Sequence, residues 1–238
     1  MISGSHLKNK QLTPFTAGAK ILKGAKMKTE IACSLCGFKS TFFYKFRTLH
    51  YYRCSGCCSI LLDPGMYLSK EKEKSRYEEH NNDVNDPGYQ QFVMPVVKQV
   101  EQKFNQAHSG LDFGAGTGPV ITKLLQDKGF KMELYDPFFC NNPAALSQTY
   151  NFIICCEVIE HFHFPAREFE LLRSLLKPGG SLYVMTEIYH ENINFEKRHY
   201  KNDPTHVIFY HADALAWIKK QYKFSGLKIE GRLIHFEV

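Results

Sequence analysis

Apolar and polar positions along this chain follow a strand-then-helix rhythm from residue 109 onward, the pattern of a parallel sheet flanked by helices. A first strand ends in Gly110-Leu111-Asp112-Phe113, and a glycine turn opens a helix through Leu124 and Leu125. Residues 131–135 read as the second strand and Tyr150–Cys156 as the central one. An amphipathic helix over 166–176 carries Phe169, Leu171, Leu172 and Leu175 on one face and closes at Lys177-Pro-Gly-Gly. The next strand starts at Ser181, followed by a helix near 212–222 and two terminal strands over 226–238. The connection 137–150 is too short for a strand plus a helix, because a crossover alone needs about 10–12 residues. The expected fold is therefore α/β, a doubly wound, mostly parallel sheet whose third strand is abbreviated or missing.

Upstream the rhythm changes. Residues 67–108 predict a helical lead-in or lid: a charged face at Ser69–Ser75, a break at Asn85-Asp86-Pro87-Gly88, and a helix with Phe92, Val96, Val97, Val100 and Phe104 along one side. Residues 29–66 alternate short aromatic strands (Phe42, Phe43, Tyr44, Tyr51, Tyr52) with two cysteine pairs. Cys33-x2-Cys36 and Cys54-x2-Cys57 are separated by 17 residues, close to the spacing of zinc ribbons. Four thiolates fill a tetrahedral ion and leave no open position, so the expected Zn²⁺ is structural. Cys58 is an alternative ligand to Cys57. The division expected is a basic tail at 1–28, a ribbon at 29–66, the lead-in at 67–108 and the main domain at 109–238.

Charge narrows the partners. Six of the 30 basic residues fall within 1–28, which holds no acid, leaving 24 basic against 24 acidic residues elsewhere. The leading segment reads as a mobile solubilising tail. The neutral body disfavours a nucleic-acid partner. No apolar run approaches the roughly 20 residues that span a bilayer, and no secretory signal is visible, so the expected location is cytoplasmic.

The segment Leu111-Asp112-Phe113-Gly114-Ala115-Gly116-Thr117-Gly118 carries the chemistry. Glycines in a strand-to-helix turn let a ligand approach the backbone, and the helix N-terminus beyond offers free N–H groups. Asp136 ends the next strand, where a carboxylate can accept from ribose hydroxyls. The spacing is G-x-G-x-G and not that of a dinucleotide fingerprint. Asp112 suits a cationic ammonium or sulfonium better than a pyrophosphate.

These residues resemble the class I S-adenosylmethionine-dependent methyltransferases over about residues 70–238. LDFGAGTG at 111–118 is similar to their first motif and Leu134-Tyr-Asp-Pro-Phe to the second. Ile154-Cys-Cys-Glu-Val-Ile-Glu-His-Phe resembles the end of their fourth strand, and Leu176-Lys-Pro-Gly-Gly-Ser-Leu-Tyr-Val their fifth. The resemblance implies S-adenosyl-L-methionine as cofactor, with Asp112, Phe113, Gly114, Ala115, Gly116 and Gly118 at its methionine part. It further implies Asp136 at the ribose, Pro137 and Phe138 beside the adenine, and Cys156 and Glu157 near the amino group. The acidic residue the family often places after its third strand has no counterpart; Asn141, Asn142 and Ser147 are the candidates to replace it. The cysteine module resembles zinc ribbons fused in front of small-molecule methyltransferases, which implies that it helps cover the substrate cleft. The segment His199-Tyr200-x2-Asp203-Pro-Thr-His206-Val resembles a block of that bacterial branch. So do Tyr77-Glu-Glu-His80-Asn81 and Asp86-Pro-Gly-Tyr89, with Tyr89 or Phe92 as a lid.

The expected reaction is methyl transfer to an O, N or C acceptor of a small metabolite, with His206 as base or substrate-orienting residue and Glu157, near the cofactor, as the second catalytic candidate. Glu157, Glu160, His161 and His206 also resemble the metal site of RNA 2′-O-methyltransferases, a reading that requires at least three of them to meet at one ion. They are expected not to meet. A non-catalytic zinc-ribbon adaptor is the remaining alternative.

Overall fold

The computed structural model describes residues 28–79 and 83–238. The basic segment lies outside them except for Lys28, whose Nζ is 3.2 Å from Asp63; His80 and Asn81 also lie outside. The chain begins with β1 (Glu30–Ala32), β2 (Lys39–Phe46), β3 (Leu49–Cys54) and β4 (Ile60–Leu62). Two helices follow, α1 (Lys70–Glu78) and α2 (Pro87–Lys103). Asp86 caps α2 by accepting from the Tyr89 N–H at 2.9 Å, and Pro87 sits in the first turn, where no donor is missed. Val93, Val96, Val97 and Val100 give α2 one buried face.

The remaining elements are β5 (Ser109–Phe113), α3 (Val120–Gln126), β6 (Lys131–Tyr135), β7 (Tyr150–Cys156), α4 (Pro165–Ser174), β8 (Leu176–Met185), β9 (Ile208–Phe209), α5 (Ala212–Gln221), β10 (Gly226–Glu230) and β11 (Leu233–Glu237). Six of the strands form one sheet in the order β10-β11-β8-β7-β5-β6. β6, β5, β7 and β8 are parallel, while β11 joins antiparallel. Between β6 and β7 the chain makes only a short 3-10 turn at Pro143–Ser147, so the third strand of a doubly wound sheet is missing, as the crossover length requires. Alternate residues of β7 face opposite layers. Phe152 and Ile154 pack with α2 and α3, while Ile153 and Cys155 pack with α4 and α5.

One strand departs from the pattern reading. Lys177-Pro-Gly-Gly does not end a helix outside the sheet. It forms a bulge inside β8, where Leu176 pairs with Tyr150 and Ser181 with Phe152. Gly180 is required there, since a Cβ would lie 2.8 Å from the Lys177 carbonyl and 2.9 Å from that of Asn151.

The cysteine-bearing strands form a second sheet in the order β1-β2-β3-β4-β9. Its last member comes from the far end of the chain: Ile60 pairs with Phe209 and Leu61 with Ile208. Phe195, between β8 and β9, seals this junction with edge-on contacts to Phe43, Tyr44, Tyr51, Tyr189 and Phe209, at centroid distances of 5.3–6.1 Å.

Candidate functional site

At the carboxyl ends of the parallel strands lies a cleft of about 700 Å³, within the roughly 300–1,000 Å³ usual for small-molecule sites. Asp112, Phe113, Gly114, Ala115, Gly116, Gly118, Asp136, Pro137, Phe138, Cys156, Glu157 and His206 all line it. The glycine turn adopts backbone angles that glycine takes freely and other residues take only at a cost. Gly114 has φ +82° and Gly116 φ +63°, and a Cβ on Gly114 would lie 2.5 Å from Val158 Cγ2.

Two carboxylates sit behind the turn. Asp136 accepts from Phe138 N and Phe139 N through Oδ1, at 2.8 and 3.0 Å, and from Gly116 N through Oδ2 at 3.0 Å. A carboxylate has about four acceptor positions, so three are used in bracing the loop and one remains for a hydroxyl. Asp112 is buried and accepts from Thr122 Oγ1 at 2.7 Å. Burial, with the Asp136 charge adding to it, pushes its carboxyl up to about 6. Asn141, Asn142 and Ser147 do not line the cleft. Asn142 caps the 3-10 turn instead, and besides Asp136 a second carboxylate, Glu168 on α4, faces the cleft near Tyr135.

The other wall is built from side chains. His161 and His206 approach with ring centroids 4.8 Å apart. Each turns Nδ1 to a carbonyl: His161 to Thr205 O at 3.0 Å, His206 to Tyr200 O at 2.7 Å. A carbonyl only accepts, so both rings carry a proton on Nδ1. Glu160, wholly buried, accepts from Thr186 Oγ1 at 3.0 Å and from the Tyr200 hydroxyl. Burial raises its carboxyl above the usual range. Glu157 is raised too, by burial first and by the Glu160 charge next, against the lowering pull of Arg232.

The expectation that the two glutamates and two histidines stay apart is corrected for three of them. Glu160, His161 and His206 each place one ligand atom within 4.8 Å of the others. The 3-10 turn Ile159–His161 brings Glu160 and His161 together, and Val207 N–H donating to Glu160 O at 2.9 Å draws His206 alongside. Glu157 is the exception, because Arg232 pairs with it from the β10–β11 turn.

Helix α1 closes the cleft, and most of its contributions were not anticipated. Tyr77 sits 5.6 Å from Phe138 and 5.2 Å from His161, between centroids. Glu73 bonds His163 Nε2 at 2.8 Å, and Arg76 reaches Asp203 Oδ2 through Nε and Nη2 at 3.0 and 2.9 Å. Tyr89 also faces the cleft, while Phe92 stacks behind it. The ribbon itself contributes no lining residue, so its expected role as a cover is corrected: α1 is the cover.

In the ribbon, Cys33, Cys36, Cys54 and Cys57 bring their sulfurs within 4.8 Å of one another. Cys33 and Cys57 are 3.7 Å apart, and Cys36 and Cys54 3.4 Å. A tetrahedral ion with sulfurs at 2.3 Å has S···S edges of about 3.8 Å, so the cluster fits zinc after small adjustments. Gly56 N–H points at Cys54 Sγ at 3.3 Å and favours a thiolate. Cys58 is not part of this set.

Among the described residues no helix is long and apolar enough to cross a membrane. No curated protein matches the sequence. Among solved structures, the fold is similar to 1,6-didemethyltoxoflavin-N1-methyltransferase of Burkholderia thailandensis, with 12% identity and a TM-score of 0.50 over 82% of this chain and 98% of that one. It is also similar to phosphoethanolamine N-methyltransferase 2 of Haemonchus contortus, with 14% identity and a TM-score of 0.50 over 68% of this chain. The chain spans 43% of that enzyme's length, and 56% of an O-methyltransferase family protein of Burkholderia thailandensis matched at 14% identity over 62% of this chain with a TM-score of 0.46. A family model described as a methyltransferase domain matches residues 86–229. That stretch holds the glycine turn, both carboxylates and the histidine pair, and it exceeds half of the chain: the protein belongs to the methyltransferase-domain family.

Proposed function

We propose that this methyltransferase moves a methyl group from S-adenosylmethionine to an O, N or C acceptor on a small metabolite. The observation that carries the reading is the pairing of a glycine cradle with two buried carboxylates in one cleft of cofactor size. The cradle fits the group: Cβ atoms are absent where a ligand must pass, Asp136 keeps one acceptor position, and Asp112 offers charge to a cation. When bound, the cofactor supplies an electrophilic methyl on a sulfonium. Gly114, Gly116 and Gly118 admit its methionine part, with Cys156 and Glu157 alongside. Pro137 and Phe138 flank the base, and Glu168 takes the position for which Asn141, Asn142 and Ser147 were candidates. His206 holds the acceptor and takes its proton at Nε2, and Tyr200 fixes the ring through its carbonyl. Alignment supplies most of the rate and proton transfer about 10²–10⁴-fold. A structural zinc at Cys33, Cys36, Cys54 and Cys57 supports the module behind this wall.

Isothermal titration tests the reading. The wild type should bind S-adenosylhomocysteine in the micromolar range, and Gly116→Val or Asp136→Ala should weaken it at least 30-fold. Absence of heat and of any thermal shift at millimolar ligand sinks the proposal.

The convergence of Glu160, His161 and His206 favours a second reading, a divalent ion at the acceptor and RNA 2′-O-methylation. Both Glu160 oxygens already accept hydroxyl hydrogen bonds, and the body of the chain is neutral, which weighs toward the first. Activity abolished by EDTA and restored by Mn²⁺ selects the second.

A further inference from the structure

The two knuckles of the ribbon, Cys33-Ser-Leu-Cys36 and Cys54-Ser-Gly-Cys57, are each followed by a residue at positive φ. Gly37 follows Cys36 at φ +77°, and Cys58 follows Cys57 at φ +58°. Glycine enters the left-handed region freely, whereas a side chain there crowds its own backbone. A cysteine at a position where glycine is easier calls for a reason outside the backbone.

The surroundings of the Cys58 thiol supply one. Asp213 and Arg53 face it. Cys58, His211 and Asp213 each bring one ligand atom within 4.8 Å of the others, apart from the four-cysteine cluster. His211 and Asp213 lie at the start of α5, so the group joins the ribbon to the methyltransferase domain. His211 Nδ1 is 3.3 Å from Asp213 Oδ2, a separation two ligands of one ion can have. Its Nε2 is 3.2 Å from Glu191 Oε2. A carboxylate behind the far nitrogen of an imidazole keeps the proton there and presents the near nitrogen as a ligand, as at many metal sites.

We propose a second metal site, for a borderline-soft divalent ion of the zinc type, with Cys58 Sγ, His211 Nδ1 and Asp213 Oδ2 as ligands and water completing the shell. Thiolate, imidazole and carboxylate together select such an ion over Mg²⁺ or Ca²⁺. The charges agree: thiolate and Asp213 bring two negatives for the dication, while Glu191 pairs with Arg53. The ion displaces the Asp213 N–H, which now donates to Nδ1 at 3.1 Å and caps α5. Asp213 is well exposed, so the site exchanges with solvent and binds more weakly than the buried four-cysteine cluster.

The test is metal stoichiometry on the full chain, independent of activity. Equilibrated with micromolar Zn²⁺, the wild type should hold two zinc per chain, and Cys58→Gly and His211→Gln one each. Co²⁺ added to protein carrying only the tighter ion should give near-ultraviolet thiolate-to-cobalt absorption, absent in Cys58→Gly. Glycine suits φ +58°, so that variant should keep or raise the thermal midpoint in metal-free buffer, separating a lost site from a lost fold. A wild type saturating at one zinc, or Cys58→Gly retaining two, overturns the proposal. S-adenosylhomocysteine binding unchanged in Cys58→Gly keeps this outcome separate from the methyl-transfer reading.

Discussion

The wall of the cleft that carries the glycine turn comes from one stretch between Asp112 and Asp136, whereas the facing wall draws on Tyr77, His161, Asp203 and His206 from three distant segments. The first is mostly backbone: N–H groups on Asp136 and glycines at positive φ. The second is mostly side chain, held by ion pairs, imidazoles and hydroxyls. Backbone geometry tolerates little change and suits an invariant ligand. A wall of side chains is re-cut by substitution and suits a variable one. On the proposed methyl-transfer reading, the division assigns the methyl donor to the first wall and the acceptor to the second.

Metal removal should test this separation most visibly, because the ribbon meets the segment that carries His206 through β4, β9 and Phe195. Structural zinc contributes about 10–16 kcal/mol in small zinc peptides. Stripping the four-cysteine site should therefore abolish hydrogen-exchange protection in β1–β4 and with it turnover. Affinity for S-adenosylhomocysteine should change less than about threefold. A parallel collapse of cofactor binding would show that the walls are not independent.

A sharper cut is His206→Ala. Removing the proposed base should lower kcat by about 10²–10⁴-fold, with cofactor affinity by titration within threefold of wild type. Equal losses in both quantities would place His206 on the donor side.

The smallest effect concerns pH. Asp112 is raised from 3.8 to about 6 by burial, so the fold favours its neutral form. Between those values the native state holds more protons than the unfolded one. Stability of the ligand-free protein should then fall as pH rises through this window, by at most about 3 kcal/mol. A cationic ligand reverses the preference. Cofactor affinity should rise up to tenfold per unit below pH 6, level off above it, and lose this slope in Asp112→Asn. A flat wild-type profile would remove Asp112 from the ligand's surroundings.

Legibility in the sequence followed the same division. The glycine turn, Asp136 and the four cysteines were readable because their chemistry is written in local spacing, and the missing strand because 14 residues cannot hold it. The bulge in β8 was not, since Lys177-Pro-Gly-Gly is also a helix ending, and only pairing with β7 distinguishes the two. The partnership of Arg232 with Glu157 spans 75 positions and lies in an ordinary hairpin turn, where no local signal marks it. His206 was visible as a residue, but its proton position depends on the Tyr200 carbonyl.

The pairing of β4 with β9 sets an order of events during synthesis. Ile60-Leu61-Leu62 leave the ribosome early, fully apolar and destined for burial, yet their outer partner is Ile208-Phe209. At 5–20 residues per second, the 145 residues between Leu62 and Ile208 take roughly 7–30 s to appear. For that interval the ribbon presents an open hydrophobic edge, the kind that recruits other chains. A nascent chain stalled before residue 208 should therefore be the aggregation-prone form, and its need for a holding chaperone should end when β9 emerges.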